Sequence, residues 1–185
     1  MFSRLAVALV VLSVLCGCAS HPTTAGSSHA APSKPIVIVR DFGLQSATVH
    51  TKEDGVARQN FLQDTVAVAR DTVIERIGIE GEARKAEVSL PKQGWLVDGD
   101  FHEIVDKSYL RYMMGFSRTG VGVSARIRLF DLSLSSRVPV ASFDVPSSKE
   151  RLSPDKVHRV VSIQQLADAV LAKWREALLK AEEKL

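Results

Sequence analysis

Apolar and polar residues alternate along two stretches of this chain, 95–104 and 121–132. In the second, Val121, Val123, Ala125, Ile127 and Leu129 share one face, while Ser124, Arg126 and Arg128 share the other. In the first, Trp95, Val97 and Phe101 lie opposite Asp98, Asp100 and His102. A period of two with β-branched residues on one side predicts half-buried strands, here neighbours joined by a long arm over 107–120. Residues 35–40 form a continuous apolar run, Pro35-Ile36-Val37-Ile38-Val39 before Arg40, which predicts a central strand covered on both faces. Over 56–77 the period changes. Phe61, Leu62, Val66, Ala69, Val73 and Ile77 fall on one helical stripe that stops at Gly78. Residues 79–93 fit a helical turn, a loop or a short edge strand equally well. Residues 138–145 predict a fourth strand, with Pro139 restricting it to an edge or to its own first residues. A last helix opens on a capping box, Ser162 with Gln165. It carries Ile163, Leu166, Ala167, Val170, Leu171, Trp174, Leu178 and Ala181 at helical spacing, and Lys180 and Lys184 suit the negative end of its dipole.

The N-terminus has a different character. Arg4 precedes an apolar stretch over 5–15 that is interrupted only by Ser13. Such a stretch is too short to span a bilayer and fits an export signal. It ends in Leu15-Cys16-Gly17-Cys18, which resembles the lipobox of bacterial lipoproteins: an aliphatic residue, two small ones, then the cysteine that receives lipid. Cys16 is a poor acceptor because bulky Leu15 would occupy the cleavage position, so Cys18 is the expected lipidation site. In that family pattern Asp after the cysteine retains the protein in the inner membrane. Ala19 stands there instead, which resembles the class sorted to the outer membrane. Residues 18–34, CASHPTTAGSSHAAPSK, are small, polar and proline-containing. They read as a flexible tether, with His21 and His29 solvated within it.

The organisation expected is therefore a signal peptide over 1–17, a tether over 18–34 and a single α/β (α+β) domain over 35–185. Its elements run β-α-β-β-β-α, with a mostly antiparallel sheet and two helices packed on one face. Removal of Cys16 and lipidation of Cys18 would leave the domain without a thiol, which excludes thiolate chemistry and disulfides. Losing Arg4 leaves 23 basic residues against 21 acidic, a net charge of +2. That is too mild for a polyanion binder, and export argues against nucleic acid as a partner.

Several of these features together resemble a family of bacterial envelope lipoproteins catalogued as a domain of unknown function. The matching elements are the lipobox, Ile38-Val39-Arg40-Asp41-Phe42 at a strand end, Val97-Asp98-Gly99-Asp100-Phe101, and Gly115-Phe116 with Gly120 before an alternating strand. More loosely, the arrangement looks like the α/β domains of periplasmic accessory lipoproteins, such as the curli-secretion lipoprotein and the activators of penicillin-binding proteins. The resemblance implies an accessory role and supplies no catalytic residues. Ser117, Arg118 and Thr119 stand where the family's arm is richer in glycine.

Three features could carry chemistry. Asp98, Asp100 and His102 at i, i+2 and i+4 could hold a metal or pair an acid with a base. They could equally be a solvent-facing strand surface, and Gly99 between the acids suggests a bulge or a close approach. The arm carries Tyr109, Tyr112, Met113, Met114 and Phe116, and from Lys107 to Phe130 there are five basic residues (Lys107, Arg111, Arg118, Arg126, Arg128) and no acidic one. Aromatics, Met and Arg together are the composition of interface hot spots, and Arg111, Tyr112, Phe116 and Arg118 are the candidate partner contacts. The aromatics could instead fold back into the core. Asp41 reads as a residue that caps or turns the chain, and His50 and His158 as solvated loop residues. No G-x-S-x-G elbow, Walker loop or dinucleotide fingerprint is present.

The expectation is a non-enzymatic accessory or scaffold lipoprotein, held at the outer membrane by lipid on Cys18, with its domain in the periplasm and an envelope protein as partner. No catalytic residue, metal or cofactor is assigned. The alternatives are a metal-dependent or acid–base hydrolase using Asp98, Asp100 and His102, and a carrier of an apolar ligand between helices and sheet.

Overall fold

The computed structural model describes residues 34–107, 120–134, 137–146 and 160–183. They lie in one compact unit, Ser33–Leu185. Its elements are β1 (Ile36–Val39), β2 (Thr48–His50), α1 (Gly55–Gly78), β3 (Glu82–Lys85), β4 (Trp95–Asp106), β5 (Val121–Asp131), β6 (Ala141–Val145), β7 (Val161–Ser162) and α2 (Ile163–Glu182). The architecture is a mixed α+β fold built on a single sheet.

The sheet order is β3-β1-β4-β5-β6, with β2 beside the far half of β4 and β7 beside the start of β5. The two alternating stretches are neighbours, as expected. The β4–β5 ladder alone holds eleven antiparallel pairs, from Trp95↔Asp131 to Asp106↔Val121, so most of the paired length is antiparallel. The expected element order needs correction. β1 lies between β3 and β4 and is parallel to both, and β2 is parallel to β4. The ambiguous stretch supplies β3, and α1 is the crossover that returns the chain to lay β3 beside β1. A parallel neighbour requires such a crossover. Pro139 falls just before β6, consistent with its missing donor; Val140 starts the pairing by donating to Leu129 O at 2.8 Å.

The alternation decides which side each residue takes. Val37, Val39, Trp95, Val97, Phe101, Ile104, Val123, Ala125, Ile127 and Leu129 join one core with Ala69, Val73 and Ile77 of α1 and with Ile163, Leu166, Val170 and Trp174 of α2. Both helices therefore cover the same face. β1 is apolar throughout because it is also needed on the other face, where Ile38 packs with Leu96 and Phe130 under Ala86 and Leu90. The α1 stripe includes one residue its apolar pattern misses. Thr65 is buried, and its hydroxyl donates to Phe61 O at 2.8 Å, so no polar group is orphaned. Ser162 caps α2 as its sequence predicts. Gln165 N donates to Ser162 Oγ at 3.2 Å, and Ser162 N donates to Gln165 Oε1 at 2.9 Å.

Gly99 resolves as a close approach, without a bulge. It stays in register with Ile127, and a Cβ there would lie 2.7 Å from Phe42 Cδ1 and 2.9 Å from Ile127 Cδ1. The Phe42 ring occupies that space and meets Phe101 edge-on at 5.3 Å. Gly43 follows, fixed by Gly43 N to Gly99 O at 2.8 Å and Phe101 N to Gly43 O at 2.9 Å. Gly99→Ala should therefore destabilise the domain by about 1–3 kcal/mol through overpacking. Adding Phe42→Leu should recover part of that loss, as read by urea denaturation; additive losses would mean that Phe42 does not fill the Gly99 site.

Candidate functional site

The face of the sheet turned away from the helices carries a row of charges at its centre. The β4–β5 register sets Asp98 opposite Arg128 and Asp100 opposite Arg126, and the β5–β6 register sets Arg126 opposite Asp144. Acidic, basic and acidic side chains therefore follow one another across three strands. Opposite charges directly across a ladder attract. Arg128 Nη2 lies 2.6 Å from Asp100 Oδ2 and 3.0 Å from Asp98 Oδ2, so one guanidinium serves both carboxylates. Arg126 Nε donates to Asp144 Oδ1 at 3.0 Å, and that bond raises the Arg126 pKa above its ordinary value. Arg126 is about half exposed, whereas Asp98 is only 19% exposed, so the Arg128 end of the row is the more desolvated.

His102 does not complete a triad with the two acids. The ladder shifts register between Phe101 and Glu103, which makes His102 the bulged residue. Its Nε2 lies 3.5 Å from Asp144 Oδ1, on β6. Among the described residues, no three or more His, Cys, Asp or Glu side chains are grouped to hold a metal ion. The bulge had a signal in the sequence: the inward residues of β4 run 95, 97, 99, 101 and then 104, and one step of three breaks the period of two.

Two other candidates engage residues of neighbouring elements. Asp41, read as a residue that caps or turns the chain, has partners on two other elements: its Oδ1 accepts from Arg70 Nη1 at 2.6 Å and its Oδ2 lies 3.7 Å from Lys85 Nζ, which ties the end of β1 to α1 and β3. Arg70 also bonds Asp71 at 2.7 Å, and these two carboxylates, Asp71 foremost, raise its pKa. His50 is a half-buried β2 residue, not a loop residue, with Nε2 3.2 Å from Glu103 Oε1. His158, Cys18 and the arm residues Arg111, Tyr112, Phe116 and Arg118 lie outside the described residues. The arm's stems are described: Lys107 N donates to Gly120 O at 2.9 Å. Of the five basic residues counted in that region, Arg126 and Arg128 are engaged with acids on the sheet.

The described helices and sheet meet over a core of buried side chains. A cleft of about 880 Å³ opens instead at one end of the sheet, lined by Lys34, Pro35, Ile36, Gly94 and Trp95 on one side and by Leu178 and Ala181 of α2 on the other. Sequence reasoning missed it. Its trace is Gly94, at φ 119°, where a Cβ would lie 2.7 Å from Ile36 O.

Neither a protein-family model nor a curated protein matches the chain. Among solved structures, the chain is similar to the PelC dodecamer from Paraburkholderia phytofirmans, with 14% identity and a TM-score of 0.36 over 80% of this chain and 90% of that one. A likeness of that size carries no argument about function.

If the row is an internal charge ladder, its two arginines should differ in worth. Arg128→Met would remove the guanidinium that Asp98 and Asp100 share, leaving Arg126, itself bonded to Asp144, as the nearest cation in the row. It should cost about 1–2 kcal/mol, below the 3–5 of a fully buried pair because all three groups reach solvent. Arg126→Met, at an exposed pair, should cost less than about 1 kcal/mol. Equal urea midpoints for Arg128→Met and the parent chain would contradict the ladder.

Proposed function

We propose that this chain is a lipoprotein, anchored in the outer membrane through lipid on Cys18, whose domain serves as a non-enzymatic accessory or scaffold subunit of the cell envelope. The observation that carries the reading is the order of segments. A lipobox ending at Cys18 is followed by a polar tether, and the first core strand, β1, begins at Ile36 immediately after it. No helix among the described residues is long and apolar enough to cross a membrane, and two or more acyl chains on one cysteine make an anchor lasting. The partners implied are the membrane, through that lipid, and an envelope protein; nucleic acid has no place in this reading. The resemblance to envelope lipoproteins of unknown function points the same way.

The hydrolase alternative draws less support from the geometry. A catalytic acid–base pair needs a carboxylate that can exchange protons with substrate, and Arg128 engages both Asp98 and Asp100. The contact surface in this reading is the arm, through Arg111, Tyr112, Phe116 and Arg118.

The test separates anchor from contact. Cys18→Ser should move the chain from the membrane fraction to the soluble envelope fraction with an unchanged melting temperature; retention after a high-salt wash would refute the anchor. Arg111→Glu with Arg118→Glu should stay in the membrane, melt as the parent does, and lose the partner crosslinked in intact cells. Exposed arginines set encounter and salt sensitivity more than stability. Unchanged crosslinking would remove the arm from the account.

A further inference from the structure

The described residues that adjoin the tether and those that adjoin the arm lie at opposite ends of the domain. β1 is in parallel register with the first residues of β4, Val37↔Trp95 to Val39↔Val97, so Lys34 and Pro35 emerge beside Gly94 and Trp95. At the other end of the same two long strands, Asp106 pairs with Val121, and Lys107 bonds Gly120 across the base of the arm. β4 has twelve residues, and at 3.2–3.4 Å per residue the two ends stand about 35 Å apart.

The helices give the same length and direction. α2 begins just after its cap Ser162, which pairs with Gly122 near the arm's base, and its last turns, Leu178 and Ala181, line the cleft beside Lys34. α1 ends beside Gly81, where Glu82 N donates to Pro35 O at 2.9 Å, and its 24 residues run back about 36 Å at 1.5 Å each. Its start follows β2, whose His50 pairs with Val105 near the far end of β4. The first six residues of α1, 55–60, are all exposed, with Val56 at 71%. One end of the domain thus holds the tether root, the cleft and both helix C-termini. The other holds the arm's base, β2 and both helix N-termini.

We infer that the anchored domain stands with the tether-root end toward the bilayer and presents the opposite end, formed by β2, the first turns of α1 and the β4–β5 stem, away from it. The inference rests on the lipid anchor proposed above. A tether of seventeen residues spans about 20–25 Å as a flexible coil. With the tether and β4 both along the membrane normal, the far end lies on the order of 55–60 Å from the membrane surface, given the strand rise. A partner met there is one whose contact surface stands off the membrane, not one whose contact surface lies in it.

The chain offers a clean test, since with Cys16 removed and Cys18 acylated a newly introduced cysteine is the only thiol. Gln93→Cys and Ser133→Cys would label the tether-root end, and Val56→Cys and Arg58→Cys the far end; all four positions are exposed. Each lipidated chain is labelled with a donor dye and inserted into vesicles of phosphatidylethanolamine and phosphatidylglycerol that carry an acceptor-labelled lipid. Energy transfer should be strong from positions 93 and 133 and weak from 56 and 58, with a distance difference approaching about 35 Å. Equal transfer from both ends, or greater transfer from positions 56 and 58, overturns the posture and leaves the anchor standing. Failure of all four chains to stay on the vesicles removes the anchor, and the posture with it.

Discussion

The β4–β5 ladder is the constraint on which the rest of this structure depends. Eleven residue pairs, seven before the bulge at His102 and four after it, fix the face to which every neighbouring side chain points. A slip of one residue would send Val97, Phe101, Ile127 and Leu129 to solvent and bring Asp98, Asp100, Arg126 and Arg128 against the helices. The apolar side of the ladder is what α1 and α2 bury, and the polar side is where the charge row forms. Even the bulge at His102 serves the same end. By taking up one extra residue, it lets Ile104 follow Phe101 into the core.

How far the sequence could be read follows from how each element is stabilised. β4 and β5 were legible because along their middles, 97–101 and 125–129, residues of the helix-covered core alternate with partly or fully exposed polar ones. α2 was legible for the same reason at helical spacing, and its end was marked by Ser162 and Gln165. β1 was legible as a doubly covered strand because Ile36 and Ile38 are as apolar as Val37 and Val39. The strands that were missed, or left open as β3 was, are those whose stability lies elsewhere. β2 has three residues and β7 two, too few to show a period. β3 reads Glu-Ala-Arg-Lys, a charged strand at the edge of the sheet, where charge deters unwanted pairing but hides the strand from an apolar pattern. Parallel pairing of β1 with β3 and β4 is a property of the α1 crossover, and no local pattern records it.

The candidate site was half legible. Asp98 and Asp100 do share a face, but their partner Arg128 lies 28 residues beyond Asp100 in the sequence and is identified only by the ladder's register. Asp41 and Arg70, 29 residues apart, are the same case at the junction of β1 and α1. In both, the carboxylate is engaged by a guanidinium brought in by tertiary structure. The charges are arranged to neutralise one another within the sheet, which suits a rigid domain that presents a surface. The functional proposal places its contact at the far end of the domain, where β2 and the exposed start of α1 surround the base of the arm.

Native-state hydrogen exchange tests the central role of the ladder most directly. Amides opening only by global unfolding mark the most stable unit of a fold, whereas edges and helix ends open locally. Phe101, whose amide bonds Gly43 O, and the paired residues around Val97, Ile127 and Leu129 should exchange slowest, at a free energy matching that of denaturant unfolding. The edge strand Glu82–Lys85 and the first turns of α1 should exchange much faster. Exchange in β4 and β5 as fast as in that edge strand, with α1 or α2 as the most protected element, would contradict the ladder as the constraint that organises this protein.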